Sequence, residues 1–305
     1  MADAVLYAGV DGGGTRTTLV LATADGREVA RRVGPAGLVD PRHPTASAEV
    51  VAELVRDALA EIGGGARVVA LCAGLAGVGN ETERMAVEEA LAASGVAGRV
   101  RIVTDGQIAL EGALGGGAGV LMIAGTGSVA YARSEDGRVA RCGGWGMMVG
   151  DEGSGYSLGR SALSAALRAS DGRDPDTRLL PDLLEAIGVD DVREVPPWVG
   201  RADKSEVAAL SRVVTAAAAA GDEVANGILR REAGEVALHA RSLAVQLDPW
   251  TAPVAIVFYG GVMSSPLYTE LVREALGGGP HEFRVQSPVS DAVIGALSFA
   301  RQMRG

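Results

Sequence analysis

The stretch GVDGGGTRTTLVLATADG, residues 9–26, determines the fold class of this 305-residue chain. The apolar run Val5 to Val10 leads into an aspartate and three glycines, and the β-prone run Thr17 to Ala22 follows at once. The glycine loops of dinucleotide-binding folds and of P-loops open directly onto a helix, and the P-loop ends in Gly-Lys-Ser/Thr. Because a strand follows here and that ending is missing, both motifs are disfavoured. The stretch predicts a strand, a glycine turn and a second strand.

The residues that follow extend this unit. An Asp-Gly turn at Asp25 leads into a third strand, Glu28 to Val33, which gives a three-stranded meander. Apolar periodicity and start signals then predict alternating helices and strands: helix 45–62, strand 67–73, helix 81–93, strand 99–104 and helix 107–114. This order is typical of a mixed α/β layer.

The same order restarts at residues 119–144, GVLMIAGTGSVAYARSEDGRVARCGG. Both units contain an apolar strand, a glycine turn, a β-prone strand and an Asp-Gly turn, so we expect a duplicated architecture in which each half contributes one turn to a shared cleft. Chance similarity of short hairpins remains the alternative. The rest should be helical over 157–248, with a loop or insertion at 170–200, then strand 254–259, helix 267–276, strand 282–286 and helix 290–303.

Composition limits the classes of function. A net charge of −10 disfavours nucleic acid and anionic membranes as main partners, and no apolar run is long enough to span a bilayer. Cys72 and Cys142 lack the spacing of a disulfide framework or a structural zinc site, which suggests a reducing cytoplasm. Lys204 is the only lysine, a bias that we attribute to a GC-rich genome.

The two glycine turns are candidate phosphate sites. Backbone amides of Gly12, Gly13, Gly14 and Thr15, with the Thr15 hydroxyl, could approach phosphate oxygens, and Asp11 could hold Mg²⁺ directly or through water. The sequence AGTGS at 124–128 offers a second such turn. The alternative is a pair of hairpin turns that need glycine only for its backbone freedom.

Asp105 is the candidate general base. It follows a predicted strand in VTDGQ, residues 103–107, where α/β sheets present catalytic groups, and its carboxylate could accept the proton of a hydroxyl that attacks a γ-phosphoryl group. The alternative, which is compatible with that role, is an aspartate that caps the next helix.

Two further stretches suggest ligand contacts. CGGWGMMVGDEGSGYSLG, residues 142–159, is a glycine-rich loop with Trp145 and Asp151 that could bind a polyhydroxylated ligand, or could be a hinge. FYGGVMSS, residues 258–265, could place a flat ring against bare backbone, or could be an ordinary strand-to-helix turn. His43, His239 and His281 form no motif and are expected to be surface or packing residues.

Taken together, DGGGT, GTGS, TDG, GGWG with GDEGS, and GGV resemble the sugar-kinase, Hsp70 and actin superfamily of ATPases. The closest resemblance is to the branch of N-acetylglucosamine kinases and BadF/BadG/BcrA/BcrD-type ATPases, and it covers nearly the whole chain. It implies two ribonuclease-H-like (actin-like ATPase) domains with an interdomain cleft. Their expected ranges are 1–117, 118–287 with a helical insertion, and a C-terminal helix 288–305 that packs back on the first domain.

The resemblance also implies roles for single residues. Phosphates and nucleotide would contact Gly12, Gly13, Gly14, Thr15, Gly125, Thr126, Gly127, Gly260 and Gly261, Asp105 would be the base, and Asp11 would hold Mg²⁺ through water. The substrate side would comprise Gly74, Thr126, Gly143, Gly144, Trp145 and Asp151.

The implied activity is the ATP- and Mg²⁺-dependent phosphorylation of an amino sugar at its 6-hydroxyl, with N-acetylglucosamine as the first choice, by a cytoplasmic homodimer. Vertebrate N-acetylglucosamine kinase holds the sugar with an Asn that the segment 34–44 lacks, so glucosamine or another amino sugar stays open. Zinc-dependent repressor/kinase relatives are disfavoured because their Cys-rich motif is missing. Two further alternatives are an ATPase activator of a CoA-ester dehydratase or reductase with an iron–sulfur cluster, and a sensor without catalysis.

Overall fold

The structure, a computed structural model, describes residues 4–303 of the chain. It divides into two compact units, of which the first holds residues 4–117 and 288–303 and the second holds residues 118–287. The domain ends expected at residues 1 and 305 lie outside the described residues.

The first 117 residues contain β1 (Val5–Gly12), β2 (Thr17–Ala22), β3 (Glu28–Gly34), α1 (Ala46–Ile62), β4 (Arg67–Leu75), α2 (Glu81–Ala93), β5 (Val100–Thr104) and α3 (Asp105–Leu114). The second unit contains β6 (Gly119–Ala124), β7 (Ser128–Arg133), β8 (Val139–Gly143), α4 (Gly155–Ser170), α5 (Leu179–Ile187), α6 (Val195–Val199), α7 (Lys204–Ala209), α8 (Ser211–Ala219), α9 (Glu223–Gln246), β9 (Val254–Tyr259), α10 (Pro266–Leu276) and β10 (Phe283–Val285). The chain returns to the first unit in α11 (Ala292–Gln302).

The two sheets have the same topology. The first has the strand order β3-β2-β1-β4-β5, and the second, read in the same sense, has the order β8-β7-β6-β9-β10. In each sheet the first three strands of the chain pair antiparallel, and the two later strands pair parallel. Five strands that agree in order and direction are not a chance similarity of hairpins. The expected duplication and the mixed α/β class are confirmed.

The first sheet is covered by helices on both faces, and β2 shows how its sequence achieves this. Leu19 and Leu21 belong to a core with α1 and α2, whereas Val20 and Ala22 pack with residues of α11. Alternate residues of a strand point to opposite faces, so a continuous run of apolar residues is what two covered faces require.

Glycines allow α11 to approach the first sheet and α3 closely. A Cβ on Gly9 would lie 2.5 Å from the backbone nitrogen of Leu297, and one on Gly295 would lie 2.0 Å from the carbonyl oxygen of Ile108. The helix begins after Asp291, whose carboxylate accepts a hydrogen bond from the Ile294 amide at 3.1 Å. The observed start therefore lies two residues after the predicted one, at Ala292 instead of Ser290.

The expected loop at 170–200 was wrong in part. α5 and α6 lie within it, and Leu179 and Leu183, one turn apart, are buried in the core of the second unit. Pro181 does not break α5 because it occupies the first turn, where a helix has no need of its amide. Within residues 4–303, no helix is long and apolar enough to cross a membrane.

Candidate active site

The turn between β1 and β2 exposes its tip. The Gly13 amide donates to the carbonyl oxygen of Arg16 at 3.0 Å and closes the turn. Gly14 and Thr15 are exposed, and their amides make no hydrogen bond to any residue in the described range 4–303. These two amides and the Thr15 hydroxyl are therefore the donors that this turn offers to a ligand.

The structure corrects two predictions for this turn. Gly12 is buried at the end of β1, where a Cβ would lie 2.5 Å from Leu75 Cδ2, and the Gly13 amide is already used in the turn. Gly12 is therefore enclosed by packing, the Gly13 amide is already engaged, and both residues shape the turn.

Asp11 lies at the end of β1 among other acids. Burial raises the pKa of its carboxyl, the charges of Asp105 and Asp291 raise it further, and Arg16 opposes them. Such a concentration of negative charge favours a cation. No group of three or more His, Cys, Asp or Glu side chains within residues 4–303 is arranged to ligate a metal ion by itself. This set fits Mg²⁺, which keeps several waters and usually takes one or two protein carboxylates beside substrate phosphates.

Asp105 is the first residue of α3 and its side chain is exposed. The helix is capped by Thr104, whose hydroxyl accepts from the Gln107 amide while the Gln107 side chain accepts from the Thr104 amide. The alternative prediction that Asp105 caps the helix was therefore wrong. Asp105 accepts one hydrogen bond, from the Gly106 amide at 2.8 Å, and its carboxylate keeps acceptor capacity for a ligand.

Gly74, which we expected to touch the substrate, lies in the core. It pairs with Asp11 across β1 and β4, and a Cβ there would lie 2.4 Å from Ile108 Cδ1. Its lack of a side chain lets α3 pack on β4 with Ile108. Gly74 thus helps to place Asp105 and does not itself face a ligand.

The second turn, Gly125–Gly127, is tied to the segment that follows Asp151. The Gly155 amide donates to the Gly125 carbonyl at 2.8 Å, the Tyr156 amide donates to the Thr126 carbonyl at 3.3 Å, and the Ser128 hydroxyl donates to the Glu152 carbonyl at 2.6 Å. The GTGS and DEGS motifs therefore form one local structure.

A cavity of about 590 Å³ opens beside this turn, within the size range of small-molecule sites. Its lining includes Gly125, Thr126 and Gly261, three of the predicted nucleotide contacts, together with Ser205, Arg212 and Ser264. The neighbouring Gly260 has a φ of +104°, and a Cβ there would lie 2.4 Å from the Ala124 carbonyl oxygen, so this position requires glycine. Sequence analysis did not identify the lining residues that α7 and α8 contribute, because no motif marks them.

The loop after β8 exposes Trp145. Its side chain is 71% exposed, and the Arg141 guanidinium lies 5.1 Å from the ring centroid while donating hydrogen bonds to the carbonyls of Gly143 and Gly144. Gly143 and Gly144 both have positive φ, and a Cβ on Gly143 would lie 2.7 Å from the buried ring of His239. His239 thus acts in packing, as expected. The loop therefore presents an aromatic ring to solvent.

Asp151 is placed differently from our expectation. Its side chain is 4% exposed, its Oδ2 lies 2.6 Å from Lys204 Nζ, and its Oδ1 accepts from the Ser128 amide at 3.3 Å. Its φ of +63° is unusual for a residue with a side chain. The carboxylate therefore holds the loop to the GTGS turn, and it is not an open acceptor for sugar hydroxyls in this conformation.

Sequence analysis also did not identify Glu232, which lies on α9. Its buried carboxylate accepts from the Gly153 amide at 3.0 Å, the Ser157 hydroxyl at 2.6 Å and the Ser161 hydroxyl at 3.1 Å, and it pairs with Arg231. Burial raises its pKa, but these hydrogen bonds and the Arg231 charge outweigh burial and leave the pKa lowered. The contact joins residues 79 positions apart, a distance at which no local pattern could have shown it.

Several known proteins are similar to this chain over most of its length. A Clostridium acetobutylicum protein named N-acetylmuramic acid/N-acetylglucosamine kinase is 32% identical over 298 residues, which cover 96% of this chain and 97% of that protein. The N-acetyl-D-glucosamine kinase of Dictyostelium discoideum is 29% identical over 237 residues, 73% of this chain and 74% of its own. A solved structure from Chromobacterium violaceum, provisionally named an N-acetylglucosamine kinase, superposes with a TM-score of 0.77 at 29% identity and covers 97% of this chain and 99% of its own.

The part of the chain that matches a known protein family includes residues of both units. Residues 8–300 match the BadF/BadG/BcrA/BcrD ATPase family, a range that includes both glycine turns, Asp105, the GGWG and GDEGS motifs and most of α11. The chain belongs to the BadF/BadG/BcrA/BcrD ATPase family.

Proposed function

We propose that this protein is an ATP-dependent kinase that transfers the γ-phosphoryl group of ATP to the 6-hydroxyl of an amino sugar, N-acetylglucosamine. The observation that carries the proposal is the cavity of about 590 Å³ lined by Gly125, Thr126 and Gly261, which has the size and the bare backbone that a nucleotide needs. The kinase names of the relatives at 32% and 29% identity support the reaction class.

In this proposal the two units are the two ribonuclease-H-like domains, and residues 288–303 complete the first. Nucleotide and phosphates are bound by Gly14, Thr15 and the turn Gly125–Gly127, with Gly260 and Gly261 beside the adenosine. Gly12 and Gly13 support the first turn from within. The sugar is bound by the loop that carries Gly143, Gly144 and Trp145, with Thr126, while Asp151 and Gly74 act by holding their surroundings in place.

Asp105 is the general base of the proposed reaction. The sugar O6 forms a bond to Pγ, the bond from Pγ to the oxygen that bridges the β- and γ-phosphates breaks, and the O6 proton passes to the Asp105 carboxylate. The exposed side chain and the spare acceptor capacity of this carboxylate support the role.

Mg²⁺ is the expected metal, held by the phosphates of ATP and through water by Asp11. It would neutralise charge on the phosphates, as divalent cations do in phosphoryl transfer. Burial and then the charges of Asp105 and Asp291 raise the pKa of Asp11, and the two acidic neighbours support a cation site because they make an added positive charge favourable.

The alternative of an activator with an iron–sulfur cluster requires reactive thiolates. Cys72 is fully buried, and burial raises the pKa of its thiol to about 12; burial also raises the pKa of Cys142. Cys72 is enclosed in β4, so its thiol cannot reach a cluster shared with a second chain. Iron and acid-labile sulfide in anaerobically purified protein would reverse this assignment.

The deciding experiment is a coupled ADP-release assay with N-acetylglucosamine, glucosamine, N-acetylmuramic acid, N-acetylmannosamine, glucose and no sugar. We expect ADP release that depends on sugar and is fastest with N-acetylglucosamine. A higher kcat/KM for glucosamine would shift the substrate to the free amino sugar. ADP release that no sugar stimulates would overturn the kinase proposal, and binding of sugar and ATP with no ADP release would support a sensor.

We further propose that the enzyme works in the cytoplasm, where ATP is available and its two unpaired cysteines stay reduced, and that it does so as a homodimer. Light scattering after size exclusion tests the dimer directly, and a monomeric mass would contradict it.

A further inference from the structure

The chain has 28 lysine and arginine residues in total, and Lys204 is the only lysine among them. Arginine therefore serves at every other basic position, and codon bias would favour arginine here as well. A compact ammonium differs from a planar guanidinium chiefly in how closely it fits a crowded site and in its role as a point charge. The surroundings of Lys204 show such a site.

The Lys204 ammonium lies against the second glycine turn. A Cβ on Gly127 would lie 3.0 Å from Lys204 Nζ and 2.8 Å from Asp151 Oδ1, so the bare face of Gly127 makes room for the ion pair. Gly127 follows directly on Gly125 and Thr126, which line the cavity beside the turn. The charge of Lys204 is thus placed at the end of the turn that borders the cavity.

The ion pair leaves the ammonium with capacity for a ligand. Nζ has three N–H donors, and its ion-pair contact with Asp151 Oδ2 at 2.6 Å occupies at most one of them. The Lys204 side chain is 35% exposed, whereas that of Asp151 is 4% exposed. The cation is therefore accessible to solvent, whereas the carboxylate is not.

The backbone of Lys204 is held at a capped helix start. Lys204 is the first residue of α7, and a reciprocal capping box holds that start: the Asp203 carboxylate accepts from the Glu206 amide at 2.9 Å, and the Glu206 carboxylate accepts from the Asp203 amide at 2.7 Å. Ser205 and Ala208 of the same helix line the cavity. One short helix therefore supplies both a cavity wall and the neighbouring cation.

We propose that Lys204 binds the phosphate groups of the nucleotide held at the turn Gly125–Gly127, in addition to its contact with Asp151. This inference rests on the proposed function, which places those phosphates at the turn. Lysine binds phosphate as a point charge, and here the ammonium joins the proposed phosphate site to the residue that holds the sugar loop.

The test compares the binding of ADP and of adenosine by isothermal titration calorimetry, with Mg²⁺ present, in the wild type and in Lys204→Met, Lys204→Arg and Asp151→Asn. We expect Lys204→Met to weaken the binding of ADP at least tenfold, while its affinity for adenosine changes less than twofold. The ADP affinity of Lys204→Arg should lie between those of Lys204→Met and the wild type. We expect Asp151→Asn, which keeps the cation, to retain the preference of the wild type for ADP over adenosine.

Three outcomes would overturn the inference. The first is an ADP affinity of Lys204→Met within twofold of the wild type. The second is an equal loss for ADP and adenosine, which would indicate a purely structural role. The third is the same loss of ADP binding in Asp151→Asn as in Lys204→Met, which would mean that Lys204 acts only through Asp151. A wild type that binds ADP no more tightly than adenosine would instead contradict the phosphate site of the proposed function.

Discussion

The carboxylate of Glu232 and the backbone amide of Gly153 are joined by a hydrogen bond of 3.0 Å that links α9 to the GDEGS segment. The same carboxylate also accepts from the Ser157 hydroxyl at 2.6 Å, so one buried charge holds both the segment and the start of α4. Because Trp145 precedes this segment and Asp151 lies within it, the position of the proposed sugar loop depends on a residue that touches no substrate.

Glu232→Gln should lower the free energy of unfolding by about 2 kcal/mol at neutral pH, the usual loss when a charged hydrogen-bonding partner is replaced in a buried network. It should also raise KM for the sugar and KM for ATP several-fold, because the segment that Glu232 holds is hydrogen-bonded to the turn Gly125–Gly127. Urea unfolding and steady-state kinetics measure these effects. Glu235→Gln, an exposed position on the same helix, is the matched control. Equal stability of Glu232→Gln and wild type would contradict the role of this carboxylate.

The effect of Glu232 should depend on pH in a defined direction. Because its pKa is lowered in the folded protein, the carboxylate contributes stability above its unfolded pKa, and that contribution is lost as the pH falls through the folded pKa. The difference in stability between wild type and Glu232→Gln should therefore be full at pH 7 and shrink in acid. A difference that stays constant down to about pH 3 would contradict this linkage.

Asp11→Asn should raise the melting temperature while it lowers activity. Burial and the charges of Asp105 and Asp291 raise the pKa of Asp11, so at neutral pH the ionised side chain costs folding free energy that protonation or amidation relieves. Calorimetry without nucleotide and a Mg²⁺ titration of the rate test both parts. Asp57→Asn, at an exposed site on α1, should change neither. A lower melting temperature for Asp11→Asn would show that the carboxylate stabilises the fold.

Gly127→Ala should disturb the Lys204–Asp151 pair without straining the backbone. The added methyl would lie 2.8 Å from Asp151 Oδ1 and 3.0 Å from Lys204 Nζ, while Gly127 does not have the positive φ that only glycine adopts readily. We expect KM for ATP to rise about tenfold and stability to fall by about 1–3 kcal/mol, as is usual for overpacking. Gly234→Ala, in α9 with no heavy atom within 4 Å of the new Cβ, should be stabilising. Unchanged ATP kinetics in Gly127→Ala would argue against the turn as a phosphate site.

Local patterns predicted the fold well because each element carries its own signal. The runs that became β1, β2 and β6 bury most residues of both faces, and β7 alternates between buried and half-buried residues. The Asp-Gly turns fix the hairpins that follow. The segment 170–200 was misjudged because its Pro, Asp and Gly content outweighed the leucine spacing of α5. There, burial of Leu179 and Leu183 against the rest of the unit decides the structure.

The site was less predictable for two physical reasons. A glycine motif does not show whether bare backbone faces a ligand or a packed side chain, and for Gly12 and Gly74 it is Leu75 and Ile108 that occupy the space. Lys204 and Glu232 act through contacts with residues distant in sequence, so no spacing marks them. The one available signal was the isolation of Lys204 among arginines, which we first attributed to codon bias.

Whether Asp105 is the base of a sugar kinase is decided by the variant Asp105→Asn. An asparagine can still accept a hydrogen bond from the Gly106 amide, and the helix is capped by Thr104, so folding should be preserved. In the coupled ADP-release assay with N-acetylglucosamine, we predict a fall in kcat on the order of 10²- to 10⁴-fold, with the affinity for ATP measured by calorimetry nearly unchanged. Turnover of Asp105→Asn within a few-fold of the wild type would contradict the role of Asp105 as the base.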